Sequence, residues 1–346
     1  MPLTGEDRLL RWLRGRLGET LIGNDAAVLS DGGPFAVTVD SQIENVHFVP
    51  GLDPALLARR LLAVNLSDLA AMGAVPRWAF LALSTRDGFD HRRFFRSLIT
   101  ACRRYGVTLA GGDLAKSPGG TVATLTLLGT KPEDGRWLER SQARPGHDLW
   151  LGGTVGESAA GAILMDRGAR KNGSRVDLPL DFEASASLKT AARRAVRRHL
   201  LPEPQLELGL WLGRQPEVSA LDVSDGVARD LHRLCRESSV GASVICEALP
   251  FASRFETLSQ ALGADPQELA LGGGEDYVLL FTLPSGIAPP PGFGGRRIGT
   301  ITREKKVVLR RAGARRPLPA FGWDHLQEGA ENGKPRHRGR GSRSTP

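Results

Sequence analysis

Most of the common signatures of nucleotide, metal and acyl chemistry are missing from this 346-residue chain. There is no GxxxxGK[ST] loop, no GxGxxG opening a helix and no HRD…DFG set, so none of the commonest nucleotide-binding scaffolds applies. HExxH and Cys/His zinc spacings are absent, and so is the GxSxG elbow of serine hydrolases. Only three cysteines occur, Cys102, Cys235 and Cys246, with no CxxC among them. That odd number suits a reducing cytoplasm and small buried hydrophobes better than disulfides or a catalytic thiol. No apolar run approaches the about 18–20 residues of a membrane span, and the start lacks the apolar core of a secretory signal. The expectation is a cytoplasmic protein with no membrane contact.

What is present is globular: 41% hydrophobic and 24% charged residues, at a length that suits two domains. The net charge of +8 is concentrated at one end. Between Gly329 and Pro346, Lys334, Arg336, Arg338, Arg340 and Arg343 face a single acid, Glu331, in a Gly/Pro/Ser/Arg composition typical of a disordered tail. Elsewhere the positive charge is scattered, which argues against a specific nucleic-acid partner.

Along the chain, residues 6–18 read as a short amphipathic helix and 26–29 and 35–40 as strands. Pro54 opens a strong helix to about Met72, stopped by Gly73. A strand at 79–84, a helix at 92–105, a strand at 107–110 and another at 121–129 follow. The polar stretch 131–148 is the best domain boundary, giving domains at 1–135 and 136–327 and a tail at 328–346. The second half reads as strand 149–151, helix 156–165, a charged loop at 167–175, helices from Ala184 to near Arg198 and at 206–212, strand 219–223, helix 226–237, and late strands at 277–282 and 297–301. Strands and helices alternate in both halves, so the fold class is α/β, a sandwich of the α+β type in two domains.

Acidic residues recur beside glycine, serine or asparagine: GND at Gly23–Asp25, TVDS at Thr38–Ser41, NLSD at Asn65–Asp68, GGD at Gly111–Asp113, DVSDG at Asp222–Gly226 and GGGED at Gly272–Asp276. Carboxylates beside close-approach backbone suit hard cations and phosphate. Within the 54–72 helix, Leu57, Leu61, Val64, Asp68 and Ala71 share one face, so Asp68 interrupts an apolar stripe. A buried carboxylate needs hydrogen bonds or a cation, and Asn65 or Ser67 could supply the bonds instead of a metal. Asp222 and Asp225 sit where a strand becomes a helix. Taken alone they are explained better by N-capping from Ser224 or Asp225 than by a cation–phosphate site. Gly111-Gly112-Asp113 and Gly272–Gly274 are equally well explained as tight turns.

The order of the motifs is more specific than any one of them. GNDAAVL, VTVDSQIENVHF, LAVNLSDLAAMGA, LAGGDLAKSPGG, RSQARPGHDLWLGGTVGESAAG, LDVSDGVARDL, LGGGEDYVLLFT and FGWDHL together resemble the bacterial thiamine-monophosphate kinases, within the aminoimidazole ribonucleotide synthetase-like ATP-binding superfamily, over about residues 6–326. The resemblance implies γ-phosphoryl transfer from ATP to thiamine monophosphate by direct in-line attack, with no covalent protein nucleophile. It implies an N-terminal α/β domain whose sheet forms a homodimer, a C-terminal α/β domain, and several Mg²⁺ ions. Motif by motif, it implies metal positions at Asp25, Asp40, Asp68, Asp113, Asp222 and Asp225, with Thr38 as a lesser ligand. Nucleotide contacts fall at Tyr105, Gly112, Asp113, Arg140 and Ser224, and substrate contacts at His47, Glu275 and Trp323. The chain departs from the family at Asn24, where an Asp is usual, and at Val39, where a hydroxyl would add a metal oxygen. Leu114 and Ala115 stand for threonines and Gly272 for a serine. Two alternatives are another ATP-using enzyme of the superfamily and a degenerate nucleotide-binding protein without turnover. The first cysteine, Cys102, falls too late for selenophosphate synthetase, and GGEDYxLLFT with Trp323 disfavours the purine enzyme.

Overall fold

The computed structural model describes residues 33–323 together with Trp12, Gly15 and Arg16. Gly23–Asp25, the strand expected at 26–29 and the basic tail lie outside the described residues. The helix expected at 6–18 does too, apart from those three.

The first α/β unit is a four-stranded sheet in the order β1-β4-β2-β3, from β1 (Phe35–Ile43), β2 (Val75–Thr85), β3 (Thr108–Lys116) and β4 (Val122–Thr130). β4 alternates buried and half-buried residues because one sheet face meets helices. Ala123, Leu125 and Leu127 turn inward against α1 (Pro54–Ala71) and α2 (His91–Arg104). Asp53 caps α1 by accepting the Ala55 N–H at 2.9 Å, with Pro54 in the first turn.

α1 is buried on nearly every side, not along one stripe. Leu57 and Leu61 face the first sheet, while Leu56, Ala70 and Ala71 join clusters of the second unit. Arg60, Asn65 and Ser67 are buried within it.

The second unit is a seven-stranded sheet in the order β13-β12-β9-β11-β5-β10-β8. It comprises β5 (Asp148–Leu151), β8 (Ser219–Asp222), β9 (Gly241–Ile245), β10 (Leu279–Leu283), β11 (Arg296–Thr302), β12 (Val307–Arg311) and β13 (Ala314–Pro317). Its helices are α3 (Glu157–Asp166), α4 (Ala186–Leu200), α5 (Leu206–Leu212), α6 (Val227–Glu237), α7 (Phe255–Ala261) and α8 (Pro266–Gly272). The expected loop at 167–175 is instead a small hairpin of β6 (Arg170–Asn172) and β7 (Arg175–Asp177). All three cysteines are buried and free, and burial pushes the Cys102 and Cys235 thiols up to about 12. That fits space-filling rather than nucleophilic roles. No helix among the described residues is long and apolar enough to cross a membrane.

A carboxylate cluster between the two units

The site forms where α1 passes between the units. Thr38 and Asp40 are two apart on β1 and share its helix-facing side. The Thr38 hydroxyl donates to Asp68 on α1. Asn65, one turn earlier on α1, accepts the Asp40 N–H at 3.2 Å. From the second unit, β8 ends at Asp222, whose Oδ2 accepts the Ser67 hydroxyl at 2.7 Å. Neither Asn65 nor Ser67 bonds Asp68, whose hydrogen-bond partners are the Thr38 hydroxyl and Asp40. Its neighbours orient Asp40 and Asp222 instead.

These carboxylates raise one another's pKa. Burial first, then the charge of Asp40, pushes Asp68 up to about 7. Burial, then Asp68, does the same to Asp222, also to about 7, while Ser67 and Arg140 oppose the shift. Asp40 is raised by burial and by Asp222, and it shares a hydrogen bond with Asp68. Without a cation, such a pair is most stable with one proton held between its members.

The loop after β8 is not an ordinary cap. Gly226, the residue before α6, makes no side-chain cap bond. Asp230, inside the helix, reaches back to accept the Asp225 and Gly226 N–H groups at 3.0 and 3.2 Å. Burial, then Asp222 and Asp225, pushes Asp230 up to about 7. Asp225 is thereby freed from capping and pairs with Arg233 at 2.6 Å. Asp230 was missed in the sequence, where an acid in a first helical turn reads as a dipole partner.

Ser224, Glu275 and Trp323 gather around this loop. The Glu275 N–H donates to the Ser224 carbonyl at 2.7 Å, and the Trp323 N–H to the Asp225 carbonyl at 3.0 Å. Gly272 leaves room for Phe321, because a Cβ there would stand 2.5 Å from the Phe321 ring. Glu275 is 29% exposed and adopts a left-handed φ of 57°. Burial works against its charge, but Arg60, His199 and His47 outweigh it and hold the carboxyl below its ordinary value. Burial and Arg60 depress His199 to about 4, so it is neutral near pH 7 and Arg60 supplies the permanent charge. His47 accepts the Ile43 N–H through Nδ1 at 3.0 Å.

Three expected positions stand apart or sit differently. Asp113 is exposed on β3, in register with Ala82, on the sheet face away from α1. β3 lies three strands from β1, roughly 14 Å, so Asp113 does not join the cluster within one chain. The Gly-Gly-Asp segment is not a turn but the interior of β3, which bulges beside Ala79 and Phe80. Only glycine fits at Gly112, with φ of 152° and a Cβ that would lie 1.9 Å from the Leu81 carbonyl oxygen. Tyr105 ends α2, packed beside the first core, with Arg104 over its ring. Arg140 lies close enough for its charge to lower both Asp68 and Asp222. Val39 points to the sheet face opposite Asp40 and is 59% exposed, so its missing hydroxyl takes no side-chain oxygen from the cluster.

Asp40, Asp68, Asp222 and Asp225 form a hard-oxygen donor set suited to Mg²⁺. Among the described residues no group of three or more His, Cys, Asp or Glu side chains is placed so that it could hold a metal ion. Mg²⁺ keeps several waters and is commonly held by one or two carboxylates together with substrate phosphates.

This fold is like that of the AIR synthase-related proteins. The family model of the AIR synthase related protein, N-terminal domain, matches residues 23–130. The thiamine-monophosphate kinase of Salmonella typhimurium is 39% identical over 274 residues, covering 77% of each chain. A solved AaThiL structure complexed with AMPPCP and TMP superposes with a TM-score of 0.73 at 27% identity, covering 94% of this chain and 99% of that one. The Stenotrophomonas maltophilia thiamine-monophosphate kinase gives a TM-score of 0.73 at 28% identity, over 90% and 97%. The chain belongs to the thiamine-monophosphate kinase family.

Proposed function

We propose that the protein transfers the γ-phosphoryl group of ATP to thiamine monophosphate, giving thiamine diphosphate and ADP. The observation that carries this reading is the convergence of Asp40 and Asp68 with Asp222 from the other unit, two of the three pushed up to about 7. Carboxylates held in this way gain most from a cation shared with phosphate oxygens.

Asp40, Asp68, Asp222 and Asp225 would hold Mg²⁺, with Asp25 completing the set and Thr38 orienting Asp68. When bound, the ions would supply positive charge that neutralises the phosphates. Arg140 and Ser224 orient the nucleotide phosphates from the C-terminal side. Glu275, fixed by Arg60, and Trp323 and His47 hold the thiamine phosphate so that its phosphate oxygen lies in line with the γ-phosphorus. That oxygen is already anionic, so positioning and charge neutralisation suffice and no protein base is required. Arg60 and Asp68 are eight residues apart on α1, roughly 12 Å by helical rise, which separates the substrate's held end from the reacting phosphates.

Asp113, Gly112 and Tyr105 lie away from this cluster, and their nucleotide and metal roles belong to a homodimer in this reading. Val37 and Val39 leave apolar surface on the open face of the first sheet, at 58% and 59% exposure. A second copy would cover that face and the nearby Asp113. The proposed domains are 1–135 and 136–327 with a tail at 328–346, and the free cysteines suit the cytoplasm.

The test is incubation of purified protein with thiamine monophosphate, ATP and Mg²⁺, with products separated by chromatography. Thiamine diphosphate and ADP should form in equal amounts. ATP binding without thiamine diphosphate, while an active relative works in parallel, would favour a binding protein without turnover.

A further inference from the structure

A cavity of about 1230 Å³ opens between α2 of the first unit and α4 of the second. Its floor is the Ala55, Arg59 and Ala63 stripe of α1, a different face of that helix from Asp68. Among the described residues eight arginines line it, with the carboxylates of Asp90, Glu157 and Glu203. Two arginines are already spent, Arg93 on Asp53 and Arg194 on Glu157, each at 2.6 Å. Asp90 is likewise occupied, accepting the Arg93 N–H at the start of α2.

Six guanidiniums remain without a carboxylate partner among the described residues: Arg59, Arg92, Arg96, Arg104, Arg197 and Arg198. Among the described residues the hydrogen bonds of Arg197 and Arg198 go to backbone carbonyls alone, each at 3.4 Å, while the charge of Arg198 lowers the nearby Asp276 carboxyl. The Nε of Arg198 is buried with no hydrogen-bond partner among the described residues. A buried donor left unsatisfied is costly, and an anion entering the groove would relieve it.

We infer that this groove is an oligophosphate-binding site separate from the carboxylate cluster. Its ligand is a linear chain of phosphates, either inorganic or the tail of a nucleotide. Guanidinium forks match phosphate oxygens in paired hydrogen bonds, and arginines on facing helices can grip successive phosphates. The volume exceeds what one phosphate fills. Among the described residues Tyr105 is the one aromatic side chain lining the groove, which gives few platforms for stacked bases and disfavours single-stranded nucleic acid.

The test is titration calorimetry with inorganic tripolyphosphate in EDTA, where the unneutralised carboxylates repel polyanions. The wild-type protein should bind at one site per chain, more weakly as salt rises. Arg96→Ala combined with Arg197→Ala should weaken binding by about tenfold or more while leaving the melting temperature unchanged. Arg315→Ala combined with Arg316→Ala, on the exposed strand β13, should leave it intact. A parallel titration with AMPPCP separates the sources: equal affinity points to an inorganic chain, tighter binding to a nucleotide. No binding by wild type, equal weakening by both double variants, or tighter binding of a single-stranded oligonucleotide than of either phosphate ligand would overturn the proposal.

Discussion

The Ser67 hydroxyl donates to the Asp222 carboxylate at 2.7 Å, and through that bond the central helix of one unit holds the strand end of the other. Both residues are buried, at 0% and 5% exposure. The bond lowers a carboxyl that burial raises, so it keeps Asp222 closer to its charged form.

Replacing Ser67 by Ala should therefore act on both stability and metal affinity. Losing one hydrogen bond to a buried carboxylate costs about 1–3 kcal/mol. The half-saturating Mg²⁺ concentration should rise in steady-state assays near pH 7 and recover as pH is raised, because Asp222 then ionises without its donor.

Asp68→Asn separates chemistry from folding. It removes a charge that faces Asp40, so the metal-free protein should melt at the same temperature or higher. Turnover should fall by about a hundredfold or more, and the melting shift on adding Mg²⁺ should shrink. Wild-type turnover in this variant would remove Asp68 from the metal site.

The pH dependence has a definite sign. Asp68, Asp222 and Asp230 lie at about 7 in the folded chain, against 3.8 as the ordinary value. Acids with raised folded values bind protons more tightly when folded. Their contribution is full below about 3.8 and is lost as pH rises through about 7. His199, depressed to about 4 from 6.5, acts the opposite way, but only below 6.5. Between pH 8 and 6.5 in EDTA, the melting temperature should therefore rise as pH falls. Saturating Mg²⁺ should reduce that slope by holding Asp68 and Asp222 ionised, leaving the part that comes from Asp230.

Arg60 is buried and donates to Glu275, to the His199 carbonyl and to Gln42, the last at 2.9 Å. Arg60→Met leaves Glu275 without its permanent counter-charge. Because Glu275 is partly exposed, the stability cost is about 2–3 kcal/mol, below that of a fully buried pair. KM for thiamine monophosphate should rise more than KM for ATP, and Arg60→Lys should recover part of the loss.

Much of this was legible in the sequence. Pro54, Gly73 and the apolar spacing between them located α1, because helix signals are local. The ordered motifs pointed to the family, and the structure brings Thr38, Asp40, Asp68, Asp222 and Asp225 near one another. The strand β3 was cut short at Gly111, since paired glycines read as a turn while the bulge that carries them through the sheet depends on β2. β9, α7, α8, β12 and β13 were not anticipated in a segment of short elements with weak periodicity. Asp230 and Arg60 were invisible because their partners lie in distant segments or in a loop whose shape local sequence does not reveal. Val39 shows the converse: a departure that looked like a lost ligand falls on the other face of its strand.

The claim that these carboxylates form the metal–phosphate site is tested most directly by a crystal structure with Mn²⁺ in place of Mg²⁺, AMPPCP and thiamine monophosphate, read by anomalous scattering. Metal peaks should lie between the nucleotide phosphates and the carboxylates of Asp40, Asp68, Asp222 and Asp225, with thiamine monophosphate beside Glu275 and Trp323. Nucleotide and metal bound elsewhere, with these four aspartates contacting neither, would contradict it.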